Sequence, residues 1–312
     1  FEEPLKAWEC YGDFNDSFPF PERITVELTN RCNLHCFMCP RHKVKMELGD
    51  IDIELFKKIV DEAANFLPVS LVPFFRGESF LHPQLFDMLF YAKQKGIRPI
   101  QLATNAFFLS PLAAKKLIEL KIDFISFSVD VNNPEQYNKI RKNSDYEVVF
   151  SNILNFINLK HKLLADLPEI QVSAVKTEEN KDSIADFVEF WAKKVNRVRI
   201  YPAHSLEGNL GQISDSGSAQ MVRRPCLKVL TDMIIYWNGN VALCNHDWQR
   251  DILIGNVADN SIHSIWNSKF YHQIRKKHLA ADLDKLIPCN HCSHWKASYQ
   301  NKPIVGEVHA QN

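Results

Sequence analysis

The sequence predicts an α/β fold, an open, partial (β/α)6 barrel followed by a small C-terminal domain built from a β-hairpin and a helix. Three observations predict it. Strand and helix patterns alternate about six times between Arg23 and Tyr201. Repeated βαβ units give a parallel sheet covered by helices, and six are too few to close an eight-stranded barrel. A Gly-, Ser- and Asn-rich stretch at 204–220 interrupts the rhythm. Finally, the 8 cysteines fall into an early group at 32–39 and a late group at 226–292, with Cys10 apart. The chain accordingly divides into an N-terminal extension (1–22), the partial barrel (23–203), and a linker with the small domain (204–312).

Each element has its own signal. Arg23–Leu28 alternates as a strand, with Ile24, Val26 and Leu28 on one face. Asp52–Phe66 has helical spacing, with Ile53, Phe56, Ile59 and Val60 in one stripe. Ser70–Phe75 is a short apolar run and reads as a buried strand. Pro83–Lys95 is helical and stops at Gly96. The strand Arg98–Ala103 leads to a helix opening with Ser-Pro, Ser110–Leu120. Then come the strand Phe124–Val129, the long helix Tyr146–Leu164, the strand Ile170–Val175, the helix Ile184–Lys194 and the strand Arg197–Tyr201. Beyond the linker, Thr231–Trp237 and Asn240–Leu243 flank Asn238-Gly239, a hairpin signature. Ile262–Leu279 reads as one helix.

Composition excludes several classes. Lys plus Arg and Asp plus Glu are both 37, so the formal charge is zero, and no basic surplus marks a nucleic-acid partner. Arg223-Arg224 and Arg275-Lys276-Lys277 read as solvated surface. No apolar run approaches the roughly 20 residues of a membrane span, and no signal peptide is visible. A cytoplasmic location without membrane attachment is therefore expected. In such a chain cysteines point to metal or catalysis rather than disulfides.

Cys32, Cys36 and Cys39 lie on one loop directly after the first strand. Three thiolates can hold a cubane iron–sulfur cluster with one iron left open to chelate a small molecule. A zinc loop is the alternative reading of the spacing. Placement at the C-terminal end of a parallel strand, where such sheets bind ligands, favours the cluster. The loop resembles the C-x3-C-x-φ-C motif of the radical S-adenosylmethionine (SAM) superfamily, with Met38 as φ and Glu27-Leu-Thr-Asn30-Arg31 as lead-in. Further matches follow in order. Arg76-Gly77-Glu78-Ser79 resembles the family's Gly-Gly-Glu motif, with Arg76 in place of the first glycine. Thr104-Asn105-Ala106 resembles Thr-Asn-Gly, and Ser126-Phe-Ser128-Val-Asp130 ends the fourth strand. The resemblance implies a barrel of the radical SAM type and SAM contacts from Met38, Glu78, Asn105, Ser128, Asp130 and Arg141. Glu78 would meet the SAM ammonium and Arg141 the carboxylate, which suits a guanidinium fork.

Cys226, Cys244, Cys289 and Cys292 suit either a structural zinc site or a fully ligated cubane. Their order around the hairpin and the terminal C-x2-C resemble the auxiliary-cluster region called SPASM, in its shortened twitch form. The steps of 18, 45 and 3 residues resemble those of 2-deoxy-scyllo-inosamine dehydrogenase-type enzymes. The resemblance implies that 204–312 includes an auxiliary-cluster domain. The cofactors would be SAM and two [4Fe–4S] clusters, one SAM-binding and one auxiliary, with a flavodoxin- or ferredoxin-type reductant.

The expected activity is radical oxidation of a carbinol on a sugar, cyclitol or similar polar metabolite. Peptide modification and radical epimerisation remain open, as does a zinc-stabilised binding module. The substrate is a small molecule or a peptide. Tyr201 and His204 close the sixth barrel strand, and His204 is a candidate base. Arg199 alternates in the same strand. Cys10 is the one cysteine outside both groups and the candidate hydrogen donor for an epimerase; a packed apolar role is the commoner fate of such a thiol. His246 and Asp247 are expected beside the auxiliary cluster, and His35 is expected to be structural.

Overall fold

The computed structural model describes residues 19–203, 222–248, 252–287, 289–296, 299 and 303–306. Cys10 and His204 lie outside them. In chain order the described strands are β1 (Arg23–Val26), β2 (His35–Cys36), β3 (Ser70–Val72), β4 (Gln101–Thr104), β5 (Phe124–Ser128), β6 (Arg141–Lys142), β7 (Glu169–Lys176), β8 (Arg197–Pro202), β9 (Asp232–Ile235), β10 (Asn240–Ala242), β11 (Leu253–Asn256) and β12 (Ile304–Val305). The helices are α1 (Ile53–Ala63), α2 (Leu85–Gln94), α3 (Pro111–Glu119), α4 (Pro134–Ile140), α5 (Tyr146–Lys162), α6 (Ile184–Ala192), α7 (Leu227–Thr231), α8 (Ile262–Trp266) and α9 (Lys269–Leu279).

Strands β1 and β3 pair in parallel, and so do β4, β5, β7 and β8 in that order. A parallel bridge between Leu71 and Ile100 joins the two sheets. The six barrel strands therefore form one arc, β1-β3-β4-β5-β7-β8, and no pairing among the described residues closes it. This is the expected partial (β/α)6 barrel.

Period-two alternation sorts the strand residues onto two faces. Ile24, Val26, Leu71, Leu102, Ile125, Phe127, Val172 and Val198 belong to the main core beneath the helices. The opposite, concave face is polar. Ser126 is in register with Gln171, and Ser128 with Ser173 and Arg199. Gln171 Nε2 donates to Ser126 Oγ at 3.0 Å.

Local signals explain the helix ends. Asp52 and Asp145 cap α1 and α5 by accepting backbone N–H groups of the first turn. Ser110 caps α3 ahead of Pro111, and Gly96 ends the α2 turn at φ +79°.

The structure corrects the outline in three places. Residues 262–279 form two helices, because the Ser268 side chain accepts from Tyr271 N at 3.2 Å and starts α9 afresh. Helix α4 carried no periodic signal, and its Asn133-Pro134 start is the mark that identifies it. The C-terminal hairpin also lies directly on the barrel. Strand β9 pairs in parallel with β1, from Arg23 opposite Asp232 to Val26 opposite Ile235. Strands β10 and β11 then extend that sheet in antiparallel fashion, with Gly239 at φ +85° in the turn. Among the described residues no helix is long and apolar enough to cross a membrane.

Candidate functional site

The three early cysteines sit on a loop that is fastened on both sides. Thr29 Oγ1 donates to Asp50 Oδ1 at 2.5 Å. Asn30 Oδ1 accepts from Gly49 N at 2.9 Å, while Asn30 Nδ2 donates to Glu47 O at 2.7 Å. The lead-in thus staples the far end of the loop to the end of β1. On the other side Cys36 pairs with Arg141 in the short β2–β6 ladder, and Phe37 N donates to Ile140 O at 3.1 Å. Cys39 N donates to Cys36 O at 3.1 Å and tightens the turn. Met38 packs half-buried on the core. His35 pairs with Lys142 in the same ladder and stacks its ring on His42, a structural role as expected.

Burial raises all three thiol pKa values, Cys36 to about 11, with Arg141 and Arg41 working against the shift. A thiol tuned as a free nucleophile would be shifted down instead. Three half-buried thiols on one loop fit a metal cluster, whose positive charge reverses the burial effect.

The Gly77 turn presses on the cysteine loop. A Cβ at Gly77 would come 2.2 Å from Thr29 O and 2.6 Å from Arg31 O, so only glycine fits. Glu78 N donates to Arg31 O at 2.8 Å. The Glu78 carboxylate is buried, and burial pushes its pKa up. It accepts from Thr104 Oγ1 and Asn105 N, both at 2.8 Å. Asn105 Nδ2 reaches back to Asn33 Oδ1 at 2.9 Å. Glu78, Asn105 and the cysteine loop are therefore one connected unit.

Asp130 and Arg141 form a buried pair, Oδ2 to Nε at 2.8 Å. Asp130 Oδ1 accepts from Val175 N at 2.7 Å, and its backbone sits at φ +74°. Asp130 thus meets Arg141 through one carboxylate oxygen and the Val175 N–H through the other, and holds Arg141 in place. Arg141 acts electrostatically on Cys36, Cys39 and Glu78 together. Ser128 is half-buried on the concave face of β5. Tyr201 lies near the end of β8, with the Arg199 guanidinium 5.0 Å from its ring centre.

The four late cysteines line one small cavity. Cys226 precedes α7, Cys244 follows β10, and Cys289 and Cys292 close the described C-terminal turn. Burial raises all four thiol pKa values. Arg223, His246, His278, His294 and Trp295 complete the wall. Among the described residues, no group of three or more His, Cys, Asp or Glu side chains is arranged to hold one metal ion. Four thiols around one cavity can hold a fully ligated cubane.

In the two basic stretches expected at the surface, Arg224 and Lys276 are exposed, but one residue of each is structural. Arg223 Nη1 donates to Cys292 O at 2.7 Å. Arg275 is buried, 3.8 Å from the Trp266 ring centre. Periodicity marks positions 271, 275 and 278 as one face of α9 but gives no reason to bury a charge there. Arg76, which stands in place of the family's first glycine, has a structural role. Its Nη2 donates to Tyr236 Oη at 2.8 Å and to Asp247 O at 2.7 Å, among the rings of Phe75, Tyr236 and Trp248. Its substitution for the family's glycine was the available signal. His246 and Asp247 do lie beside the auxiliary cavity and this strut.

Comparison with known proteins agrees with this geometry. Residues 26–190 match the radical SAM superfamily, and residues 226–293 match SPASM, an iron–sulfur cluster-binding domain. The tungsten-containing aldehyde ferredoxin oxidoreductase cofactor-modifying protein of Pyrococcus furiosus is 26% identical, over 81% of this chain and 82% of that protein. The antilisterial bacteriocin subtilosin biosynthesis protein AlbA of Bacillus subtilis is 25% identical, over 83% of this chain and 62% of that protein. The fold resembles BtrN in complex with AdoMet and 2-DOIA, with TM-score 0.58 and 19% identity over 87% of this chain and 92% of that one. It also resembles Streptococcus suis SuiB bound to S-adenosylmethionine, with TM-score 0.68 and 15% identity over 89% and 72%. With its cysteine loop at the binding end of an open six-stranded arc, the chain belongs to the radical SAM superfamily, and its cofactors are SAM and two [4Fe–4S] clusters.

Proposed function

We propose that this protein is a radical SAM dehydrogenase that oxidises a carbinol of a polar metabolite such as a sugar or cyclitol. In this reading Cys32, Cys36 and Cys39 hold the SAM-side cluster, and Cys226, Cys244, Cys289 and Cys292 hold the auxiliary one. Met38, Glu78, Asn105, Ser128 and Arg141 surround SAM, and Asp130 fixes Arg141. When bound, the first cluster supplies the electron that splits SAM into methionine and a 5′-deoxyadenosyl radical, and the second supplies a place for an electron leaving the substrate. The carbinol carbon gives a hydrogen atom to that radical, then releases a proton and one electron and becomes a ketone. The sum is SAM plus alcohol to methionine, 5′-deoxyadenosine, ketone and a proton. A flavodoxin- or ferredoxin-type protein is the expected source of the priming electron.

The observation that carries this reading is the cavity with four cysteines around it. Four protein ligands leave no iron open for substrate, so the second cluster is suited to electrons alone. The concave face supports a polar substrate, since Ser128, Ser173 and Arg199 share one register row and Tyr201 lies beside Arg199. Tyr201 and His204 are the candidate substrate contacts, and His204 the candidate base. A second reading, peptide modification, is favoured by the likeness to AlbA and to SuiB solved with its precursor peptide SuiA.

The test is isotope transfer. Reconstituted, reduced enzyme is incubated with SAM and a set of carbinol-deuterated sugars, cyclitols and aminocyclitols. Oxidation predicts deuterium in 5′-deoxyadenosine and one SAM consumed per ketone. Solvent deuterium in an otherwise unchanged substrate means epimerisation, for which Cys10→Ala is the control. Turnover of peptides alone favours the second reading.

A further inference from the structure

The wall of the auxiliary cavity contains a buried imidazole that the proposed mechanism leaves unused. His278, on α9, is 1% exposed and lines the cavity with the four cysteines. Its Nδ1 and Nε2 are both buried without a hydrogen-bond partner among the described residues. Burying an unsatisfied polar group costs about 1–3 kcal/mol, so an imidazole with neither nitrogen matched implies a partner that occupies the cavity. Helix α9 aims the ring there, since Tyr271, Ile274, Arg275 and His278 form its buried side.

The other polar groups of the wall point to the same occupant. Arg223 gives Nη1 to Cys292 O at 2.7 Å, and its Nε is buried without a hydrogen-bond partner among the described residues. The backbone N–H of His246 already donates to Cys244 Sγ at 3.3 Å. The wall thus collects N–H donors around four thiols. A cubane held by four thiolates is an anion, and donors aimed at its sulfurs favour its reduced, more negative form.

We propose that His278 donates a ring N–H to a sulfur of the auxiliary cluster, a bridging sulfide or a cysteine thiolate, and so raises the potential at which that cluster accepts an electron. The proposal rests on the assignment of the four late cysteines to that cluster. It gives the cavity a function in setting the direction of electron flow, because a cluster easier to reduce is a better acceptor of the electron that leaves the substrate.

The test uses the full chain with Cys32, Cys36 and Cys39 replaced by Ala, reconstituted so that the auxiliary cluster alone carries iron. Its potential is read by EPR-monitored redox titration with no substrate present. His278→Leu is expected to shift the reduction equilibrium about tenfold toward the oxidised form, which is 59 mV for one electron. His278→Gln keeps a donor and should recover most of the shift. An unchanged potential in the Leu protein, or an equal fall in both, overturns the proposal. If the Leu protein does not load iron, 15N-histidine labelling gives a second reading by pulsed EPR. A weak coupling from the His278 ring nitrogen is expected at the reduced cluster and should be lost in the Gln protein, while that of the His246 backbone nitrogen stays in both. The absence of the His278 coupling, or the strong coupling of a direct ligand, overturns the proposal. Because no substrate enters, this result and carbinol oxidation can fail independently.

Discussion

Gly77 and Asp130 carry much of the site through what they hold in place, the cysteine lead-in and Arg141. A methyl group at Gly77 would overlap two backbone carbonyls of the cysteine lead-in, and backbone does not yield as a side-chain end would. Gly77→Ala should therefore destabilise the fold by about 1–3 kcal/mol and loosen SAM binding, which thermal unfolding and SAM titration would read. Asp130 neutralises Arg141, and both are buried. Asp130→Ala leaves an uncompensated guanidinium, a change that costs about 3–5 kcal/mol for buried pairs. A variant as stable as the parent would show that this pair is dispensable. At this scale the sequence was informative where chemistry fixes residue type and spacing. Thiols at 32, 36 and 39 and a carboxylate after Gly77 are such cases. Of the two partners of Asp130, the Val175 N–H meets it only through the β5–β7 pairing, which no local pattern announces, while Arg141 follows just one short helix later.

Among elements, the informative contact is the one between the first barrel strands and the C-terminal hairpin. Strand β9 continues the sheet beside β1, and Arg76, just beyond β3, ties the Gly77 turn to Tyr236 and Asp247. The glycine it replaces would remove both bonds and leave the longer one that Tyr236 Oη donates to Asp247 O at 3.3 Å. Removing hydrogen bonds to a charged group costs about 1.5–3 kcal/mol, so Arg76→Met should lower the unfolding midpoint by several degrees. It should also reduce iron retention at the auxiliary cluster more than at the first, since Asp247 follows Cys244 closely. Equal loss at both clusters, read by iron content and EPR, would contradict a local strut. Helix and strand types were legible from periodicity because the barrel strands present one apolar and one polar face. The break between α8 and α9 was not, because a serine cap interrupts the backbone without disturbing the apolar stripe. The β2–β6 ladder spans about a hundred residues and two strands of two residues each, too short for any local pattern.

For the whole molecule, the open arc places a cysteine loop at one set of strand ends and a second cysteine cavity on the sheet extension beyond β1. Two clusters on one scaffold give a route for an electron in and an electron out, which a net oxidation needs. Iron content should be about eight per chain and fall to about four in Cys36→Ala, with the auxiliary EPR signal retained. The most direct measurement is the yield of 5′-deoxyadenosine and methionine when the reconstituted, dithionite-reduced full chain is given SAM. The account predicts the two products in equal amounts, and their loss in Cys36→Ala while the auxiliary cluster persists. Cleavage that survives in Cys36→Ala, or no cleavage by a chain carrying both clusters, would contradict it.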